Sequence, residues 1–382
     1  MKISIVLGFF NPCPPVRGGG VERMWYQLAQ EFARLGNEVT ILSRSWPDFP
    51  DREQEGGIRH IRLPGFSHRK KLLENLLLDV LWSFRIIFNL PQADILITNS
   101  IFLPVLSVFF RARGITVVNL NRYPKGQLKY YTRVPRIQTP SSAIAHAAAL
   151  QAPAIASRIC VIPNSTDLTP FFAIKPPKDK SILTIGFVGR VHPEKGLELL
   201  IDAATHLLKK SDLPAWKIVI TGPYKVSEGG GGEEYYDRLK KSAIRSMEQG
   251  RLEFLPPVFS RDELTARYAD MDIFCYPSVA EKGETFGIAI LEAMASGLPV
   301  TASNLACFSD LVDKNQTGLL FNHTKANASV ALATDIASLL HDSEKRNAFG
   351  KAGRAKAQLF DVKPVAQLHL DDFKKLLESG AK

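Results

Sequence analysis

Residues 181–208 read SILTIGFVGRVHPEKGLELLIDAATHLL, and the order of an apolar run, a glycine turn and an amphipathic run within them decides the fold. The run at 181–188 is short and rich in branched side chains, which predicts a buried strand. Gly189 follows it, and residues 197–208 repeat leucine and alanine at helical spacing behind Gly196. Strand, turn and helix in that order begin a βαβ unit.

The pattern continues in both directions. Downstream, 217–221, 252–254, 273–276, 299–302 and 318–321 read as strands, with helices expected near 196–210, 233–248, 262–269, 285–296 and 328–341. Upstream, the apolar run 2–8 leads into Gly18-Gly19-Gly20. Val21, Met24, Trp25, Leu28, Ala29, Phe32 and Leu35 then recur at helical spacing until Gly36, before a strand at 38–43. Runs at 94–98, 115–120 and 159–162 extend this first sheet. The whole reads as two consecutive α/β domains with parallel sheets. A stretch without apolar period, Lys175-Pro176-Pro177-Lys178-Asp179-Lys180, marks the linker. The expected domains are 1–175 and 176–362, followed by a tail, 363–382, whose helix at 364–377 packs back on the first domain.

Composition narrows the classes. A chain of 382 residues with 45% apolar side chains suits two domains of ordinary size. Cys13, Cys160, Cys275 and Cys307 are far apart and form no C-x-x-C pair, so reduced thiols in a cytoplasmic protein are expected. The start, with one lysine and then Asn11-Pro12-Cys13-Pro14-Pro15, is expected to be an opening strand rather than a secretion signal. Glu74, Asp79 and Arg85 interrupt the most apolar stretch, 72–90, which argues against a membrane span. Residues 1–175 hold 21 Lys and Arg against 11 Asp and Glu, while 176–382 hold 27 of each. A basic first half suits an anionic partner, and equally a basic, solvated surface. The glycine run 229–232 lacks the Lys-Ser/Thr of a P-loop and is expected to be a flexible surface loop.

Two constellations can carry chemistry. In Gly189-Arg190-Val191-His192-Pro193-Glu194-Lys195-Gly196, two cations stand at a helix N-terminus, where free N–H groups and the helix dipole favour a diphosphate. Arg190 offers a planar fork and Lys195 a mobile point charge. Alone, the segment also fits a solvated turn. In Glu284-Thr285-Phe286-Gly287-Ile288-Ala289-Ile290-Leu291-Glu292, two carboxylates bracket a helix start expected near Phe286. The amides of Phe286, Gly287 and Ile288 would then be open to a ligand. Glu284 also fits a helix cap, and Glu292 a surface ion pair.

Taken together, these segments resemble family 4 of the glycosyltransferases, which have the GT-B fold of two Rossmann-like domains facing each other across a cleft. The resemblance covers nearly the whole chain. The E-x7-E pattern is Glu284 to Glu292, G-R-x(n)-K-G is Gly189-Arg190 with Lys195-Gly196, G-G-x-E is Gly19-Gly20-Val21-Glu22, and I-P-N-x-x-D is Ile162-Pro163-Asn164-Ser165-Thr166-Asp167. It implies a retaining transferase that takes a sugar from a UDP- or GDP-linked donor and needs neither metal nor other cofactor. Arg190 and Lys195 would hold the diphosphate, with Gly189 and the backbone of Gly19 and Gly20 close to it. Glu284 would bond sugar hydroxyls, Phe286, Gly287 and Ile288 would touch sugar or phosphate, and Glu292 would hold the ribose.

Many members carry a His where this chain has Asn121, which can bond a sugar hydroxyl but cannot shuttle a proton. Asn121, Arg122 and Lys125 are the candidate acceptor-side residues; a simple turn fits them too. The basic apolar stretch FSHRKKLLENLLLDVLWSFRIIFNL, 66–90, fits an anionic membrane surface beside a lipid-linked acceptor, and equally one buried helix with cations at its solvent end. The analogy extends to a bacterial surface polysaccharide or glycolipid pathway, with the protein cytoplasmic and peripheral on the inner face of the plasma membrane. Alternatives are a non-catalytic nucleotide-sugar binder and another GT-B enzyme such as an epimerase. A dinucleotide oxidoreductase lacks its G-x-G-x-x-G, and no motif supports binding of nucleic acid.

Overall fold

The apolar run at the start of the chain becomes a central strand of an eight-stranded sheet in the computed structural model, which describes residues 1–16, 19–175 and 180–380. Gly18 of the triple glycine and Pro176, Pro177, Lys178 and Asp179 of the expected linker lie outside those residues. The strands are β1 (Lys2–Val6), β2 (Glu38–Arg44), β3 (Arg52–Glu55), β4 (Ile58–Leu63), β5 (Ile95–Thr98), β6 (Ile115–Asn119), β7 (Arg136–Thr139) and β8 (Ile159–Val161), in the order β3-β4-β2-β1-β5-β6-β7-β8. All neighbours are parallel except β3, which runs antiparallel to β4. β5 and β6 are buried throughout, because helices cover both faces of a parallel sheet.

The hairpin of β3 and β4 departs from the expected pattern. Arg52-Glu53-Gln54-Glu55 is an edge strand largely in solvent, so no apolar period marks it, and its charges blunt the open edge. Gly56-Gly57 supplies the turn.

The helix Gly20–Arg34 buries Met24, Trp25, Leu28, Ala29 and Phe32 in the first core. The tail helix Val362–Glu378 lies against it, with the His369 ring 5.2 Å from Trp25 and Phe373 6.2 Å from Phe32. Asp372 on the same helix accepts from Gln138 Nε2 at 3.0 Å and pairs with Arg136 at 3.2 Å. The first unit is therefore Met1–Asp167 with Phe360–Lys382, and the second is Leu168–Leu359. The chain leaves the first unit at Asp167 rather than at residue 175, since Phe171 packs edge-on to Tyr268 at 5.4 Å and Arg354 donates to the carbonyls of Phe172 and Ile174. It re-enters at Phe360 rather than 363.

The second sheet comprises β9 (Leu183–Val188), β10 (Trp216–Thr221), β11 (Leu252–Leu255), β12 (Ile273–Tyr276), β13 (Val300–Ser303) and β14 (Gly318–Phe321). It is wholly parallel, in the order β11-β10-β9-β12-β13-β14. That is the Rossmann order, with the direction of winding reversed between β9 and β12. The helix Ser343–Ala357, absent from the expected set, adds a further layer; its sequence is polar and its apolar face narrow. All four cysteines are free thiols. No helix among the described residues is long and apolar enough to cross a membrane.

Two buried histidines make the first unit sensitive to acid. Burial pushes His369 down to about 3, and burial together with the charge of Arg62 pushes His60, on β4, down to about 4. Both stay neutral in the fold while the unfolded chain takes up protons near pH 6.5. Their contribution is thus complete above that pH and is lost as pH falls towards 4. Between pH 7 and 5 each is expected to cost about 2 kcal/mol of stability. In urea unfolding across that range, His369→Leu should remove about half of the pH dependence that the pair produces; an unchanged slope rules this out.

Candidate active site

At the winding reversal of the second unit, the loops after β9 and β12 leave the carboxyl ends of adjacent strands, the place where an open parallel sheet presents ligand sites. Two glycines set how close the backbone comes there. A Cβ on Gly222, just beyond β10, would lie 1.7 Å from the carbonyl oxygen of Gly189. Gly196 has φ 62°, and a Cβ on it would lie 2.2 Å from the carbonyl oxygen of Pro277. The amide of Val279 donates to the Glu194 carbonyl at 2.9 Å, which joins the two loops.

This closeness brings Lys195 onto Glu284. Lys195 is 8% exposed, and its Nζ donates to Glu284 Oε1 while lying 5.2 Å from the centre of the Tyr276 ring. The same oxygen accepts from the Tyr276 hydroxyl at 3.2 Å and lies 3.0 Å from Ser278 Oγ, whose one proton is shared with the Glu194 carbonyl at 2.9 Å. Burial, and then the charge of Glu284, raises Tyr276 well above the usual range for a phenol, so the hydroxyl stays a donor. Lys195, Tyr276 and the shared Ser278 hydroxyl face one oxygen of a carboxylate side chain that is about a tenth exposed. A charge pair so enclosed is costly to break on one side only.

Arg190 stands apart from that pair. It is nearly half exposed, its Nη1 donates to the Gly229 carbonyl at 2.8 Å, and Nη2 lies 3.5 Å from Glu194 Oε2. Lys195 closes a short 3-10 turn, Pro193–Lys195, that is capped by His192 and precedes the helix Leu197–Leu207. The glycine run at 229–232 is not the flexible surface loop expected. Its four amides donate in turn to the carbonyls of Val226, Lys225, Val191 and Tyr224, between 2.7 and 3.0 Å, so the run is an ordered turn on the segment that carries Arg190.

The second carboxylate motif also shifts. The helix begins at Ile288 behind Gly287, not near Phe286, and Phe286 is a core side chain, 2% exposed. Leu291 is the first residue whose amide bonds back, to the Gly287 carbonyl, so the amides of Ile288, Ala289 and Ile290 stand at the helix's positive end. Glu292 accepts from the hydroxyl of the fully buried Tyr268 at 3.0 Å. Burial and then Glu292's charge raise Tyr268 well above its usual range. Beside β10 and β11 a cavity of about 330 Å³ is lined by Val191, Gly222, Tyr224, Tyr236 and Phe254 among others. Tyr224 and Tyr236 stack there with centroids 4.1 Å apart, and such walls suit a flat ring.

In the first unit, Gly19 is the left-handed cap of the helix Gly20–Arg34, and a Cβ on Gly20 would meet nothing within 4 Å. Glu22 of the same segment is buried and accepts from Asn11 Nδ2 at 3.1 Å. Asn121 follows β6 and bonds the Asn119 side chain, while Arg122 and Lys125 are exposed on the next turn. At the carboxyl end of β5, Asn99 Oδ1 and Ser100 Oγ are buried without a partner. A larger cavity, about 1200 Å³, opens instead near Asp94, Gly114, Pro135 and Arg158. These residues precede their strands, at the end opposite to that where such sheets bind ligands.

Sequence reasoning missed Tyr276, Ser278, Tyr268, Asn99 and Ser100. The available signal was position: Tyr276 ends β12, and Ser278 and Asn99 closely follow strands beside a winding reversal.

Two family models match the chain: glycosyl transferases group 1 over residues 170–356 and glycosyltransferase family 4 over residues 18–169. A phosphatidyl-myo-inositol mannosyltransferase of Mycobacterium tuberculosis is 27% identical over 407 aligned residues, which take in 100% of this chain and 99% of that protein. The sulfoquinovosyl transferase SQD2 of Arabidopsis thaliana is 34% identical over 183 residues, 46% of this chain and 30% of that protein. Among solved structures, a sucrose-phosphate synthase from Thermosynechococcus elongatus superposes with a TM-score of 0.77 at 21% identity, covering 99% of each chain. HepE of Anabaena, in complex with UDP and glucose, gives 0.71 at 20% identity, covering 98% of this chain and 100% of the other. These last two likenesses are of fold.

Proposed function

We propose, from the premise that this chain belongs to the glycosyltransferases of family 4, that it moves a sugar from a UDP- or GDP-linked donor to a glycan or lipid-linked acceptor, with retention of anomeric configuration and without a metal ion. The observation that carries this reading is the enclosed pair of Lys195 and Glu284. Without donor, each neutralises the other. A donor diphosphate gives Lys195 a stronger anionic partner and releases Glu284 to accept from sugar hydroxyls.

The bond between the anomeric carbon and the diphosphate oxygen then breaks, and charge grows on that oxygen. Lys195, Arg190 and the amides of Ile288, Ala289 and Ile290 stabilise that charge more in the transition state than in the ground state. The acceptor oxygen bonds the anomeric carbon from the face the diphosphate leaves, and its proton passes to the departing oxygen. Glu292 holds the ribose, and the aromatic cavity beside β10 takes the base. Asn121, Arg122 and Lys125 serve the acceptor. The name of the mycobacterial relative favours a lipid-linked acceptor, hence a glycolipid or surface polysaccharide pathway at the inner face of the plasma membrane.

The test is thermal stabilisation by UDP-, GDP- and ADP-sugars in EDTA. One donor at a hundred times its Kd is expected to add about 2.7 kcal/mol, and Arg190→Ala and Glu284→Ala to diminish it. If no sugar nucleotide stabilises the wild type, or if EDTA abolishes the effect, the reading fails.

A further inference from the structure

The aromatic cavity beside β10 and β11 shares a turn with Arg190. The Arg190 Nη1 donates to the Gly229 carbonyl at 2.8 Å, and the Gly229 amide closes the short turn Val226–Glu228 by donating to the Val226 carbonyl at 3.0 Å. A Cβ on Gly230 would lie 2.2 Å from the Tyr224 carbonyl oxygen, so the turn is pressed onto the backbone of the residue that carries one of the stacked rings. An ordered backbone thus brings Lys225 and Glu228 to the cavity's edge, where both line it.

The lining differs in what it offers a heterocycle. Tyr224, Tyr236 and Phe254, the last edge-on to Tyr236 at 5.3 Å, provide aromatic surface. A tyrosine hydroxyl can give or take a hydrogen bond, so neither tyrosine chooses between bases. Pro256 and Pro257, just beyond β11, have no N–H, and this stretch of wall can supply carbonyl oxygens alone. Glu228 adds a carboxylate, which only accepts, and Lys225 an ammonium, which only donates. Both side chains are exposed, and among the described residues neither has a hydrogen-bonding or ionic partner.

Resting on the reading of this cavity as the base site, we infer that the base is guanine, selected by Glu228 and Lys225. Guanine's pairing edge carries two adjacent donors, the ring N–H and the 2-amino group, beside one carbonyl acceptor. A carboxylate takes both donors at once, and an ammonium takes the carbonyl. Uracil turns a single N–H flanked by two carbonyl oxygens to the same lining, so one of those oxygens meets an acceptor with no proton between them. Adenine has a lone pair where guanine has its ring proton, and Glu228 gains one bond at most. A polar group left without its partner rejects a ligand more strongly than a good contact attracts one.

The test is isothermal titration of the full chain with GDP, inosine diphosphate, UDP and ADP. Inosine diphosphate is GDP without the 2-amino group, so it deletes one contact and leaves the rest. Wild type is expected to hold GDP tightest, with inosine diphosphate weaker by roughly tenfold, as for the loss of one hydrogen bond to a charged group. Glu228→Ala should erase most of that difference, with the melting temperature of the free protein kept. Lys225→Met should weaken both ligands alike and preserve their ratio. UDP or ADP bound more tightly than GDP overturns the inference and leaves the transferase reading standing. So does equal binding of GDP and inosine diphosphate by wild type, or a lead for GDP that survives in Glu228→Ala. If no nucleoside diphosphate binds, the transferase reading falls and this inference with it.

Discussion

Replacing Lys195 by methionine is expected to lower kcat/KM for sugar transfer by about 10²- to 10³-fold, the range for removing one fixed charge or donor from a developing oxyanion. Methionine keeps the length of the stem and removes only the ammonium. The same change leaves Glu284, itself largely enclosed, with hydroxyl donors alone, and breaking a buried pair from one side costs about 3 kcal/mol or more. Stability and activity can then be separated. Adding Glu284→Gln to Lys195→Met removes the unpaired charge and should recover most of the stability, while transfer stays low. Urea unfolding with initial rates on all three variants decides the matter. A Lys195→Met enzyme within threefold of wild type would end the assignment of Lys195 to the diphosphate.

Gly222→Ala is the second large effect. The new methyl would sit 1.7 Å from the Gly189 carbonyl oxygen, a backbone atom that cannot swing aside as a side chain would. One of the two loops must move, at roughly 3 kcal/mol. That corresponds to a fall in Tm of roughly 6–12 °C for a unit of this size. Moving Gly189 also displaces Arg190, so donor binding should weaken in step. Gly250→Ala is the comparison: it too has positive φ, 66°, but no atom lies within 4 Å of the added carbon. It should cost only the conformational share, about 1 kcal/mol. Equal losses for the two would show that the close approach of Gly189 is unimportant.

The sequence made much of this legible, for physical reasons. Strands covered on both faces become apolar runs, so 181–188 and 273–276 could be read directly, whereas the solvent-facing Arg52–Glu55 could not. The carboxylates and cations of the site were visible as motifs. Their pairing was not, because Lys195 and Glu284 are 89 residues apart and meet only through the packing of two loops. Tyr276 and Ser278 were hidden as single polar residues at a strand end. The glycine run at 229–232 reads as flexible because glycine signals backbone freedom, while the acceptors that remove that freedom, Val191 and Tyr224 among them, cannot be inferred from composition. The helix start moved from Phe286 to Ile288 for a similar reason: the Phe286 ring is drawn into the core, and Gly287 makes the turn instead.

The tail helix Val362–Glu378 also bears on how the chain is made. It completes the first core, beside Trp25 and Phe32, yet it is synthesised after the whole of Leu168–Leu359. On the ribosome the second unit has every residue it needs while the first still lacks one helix. The later unit in sequence can finish folding first. Until its last turn emerges, the earlier one keeps an uncovered apolar face, and that interval is where a chaperone would engage the nascent chain.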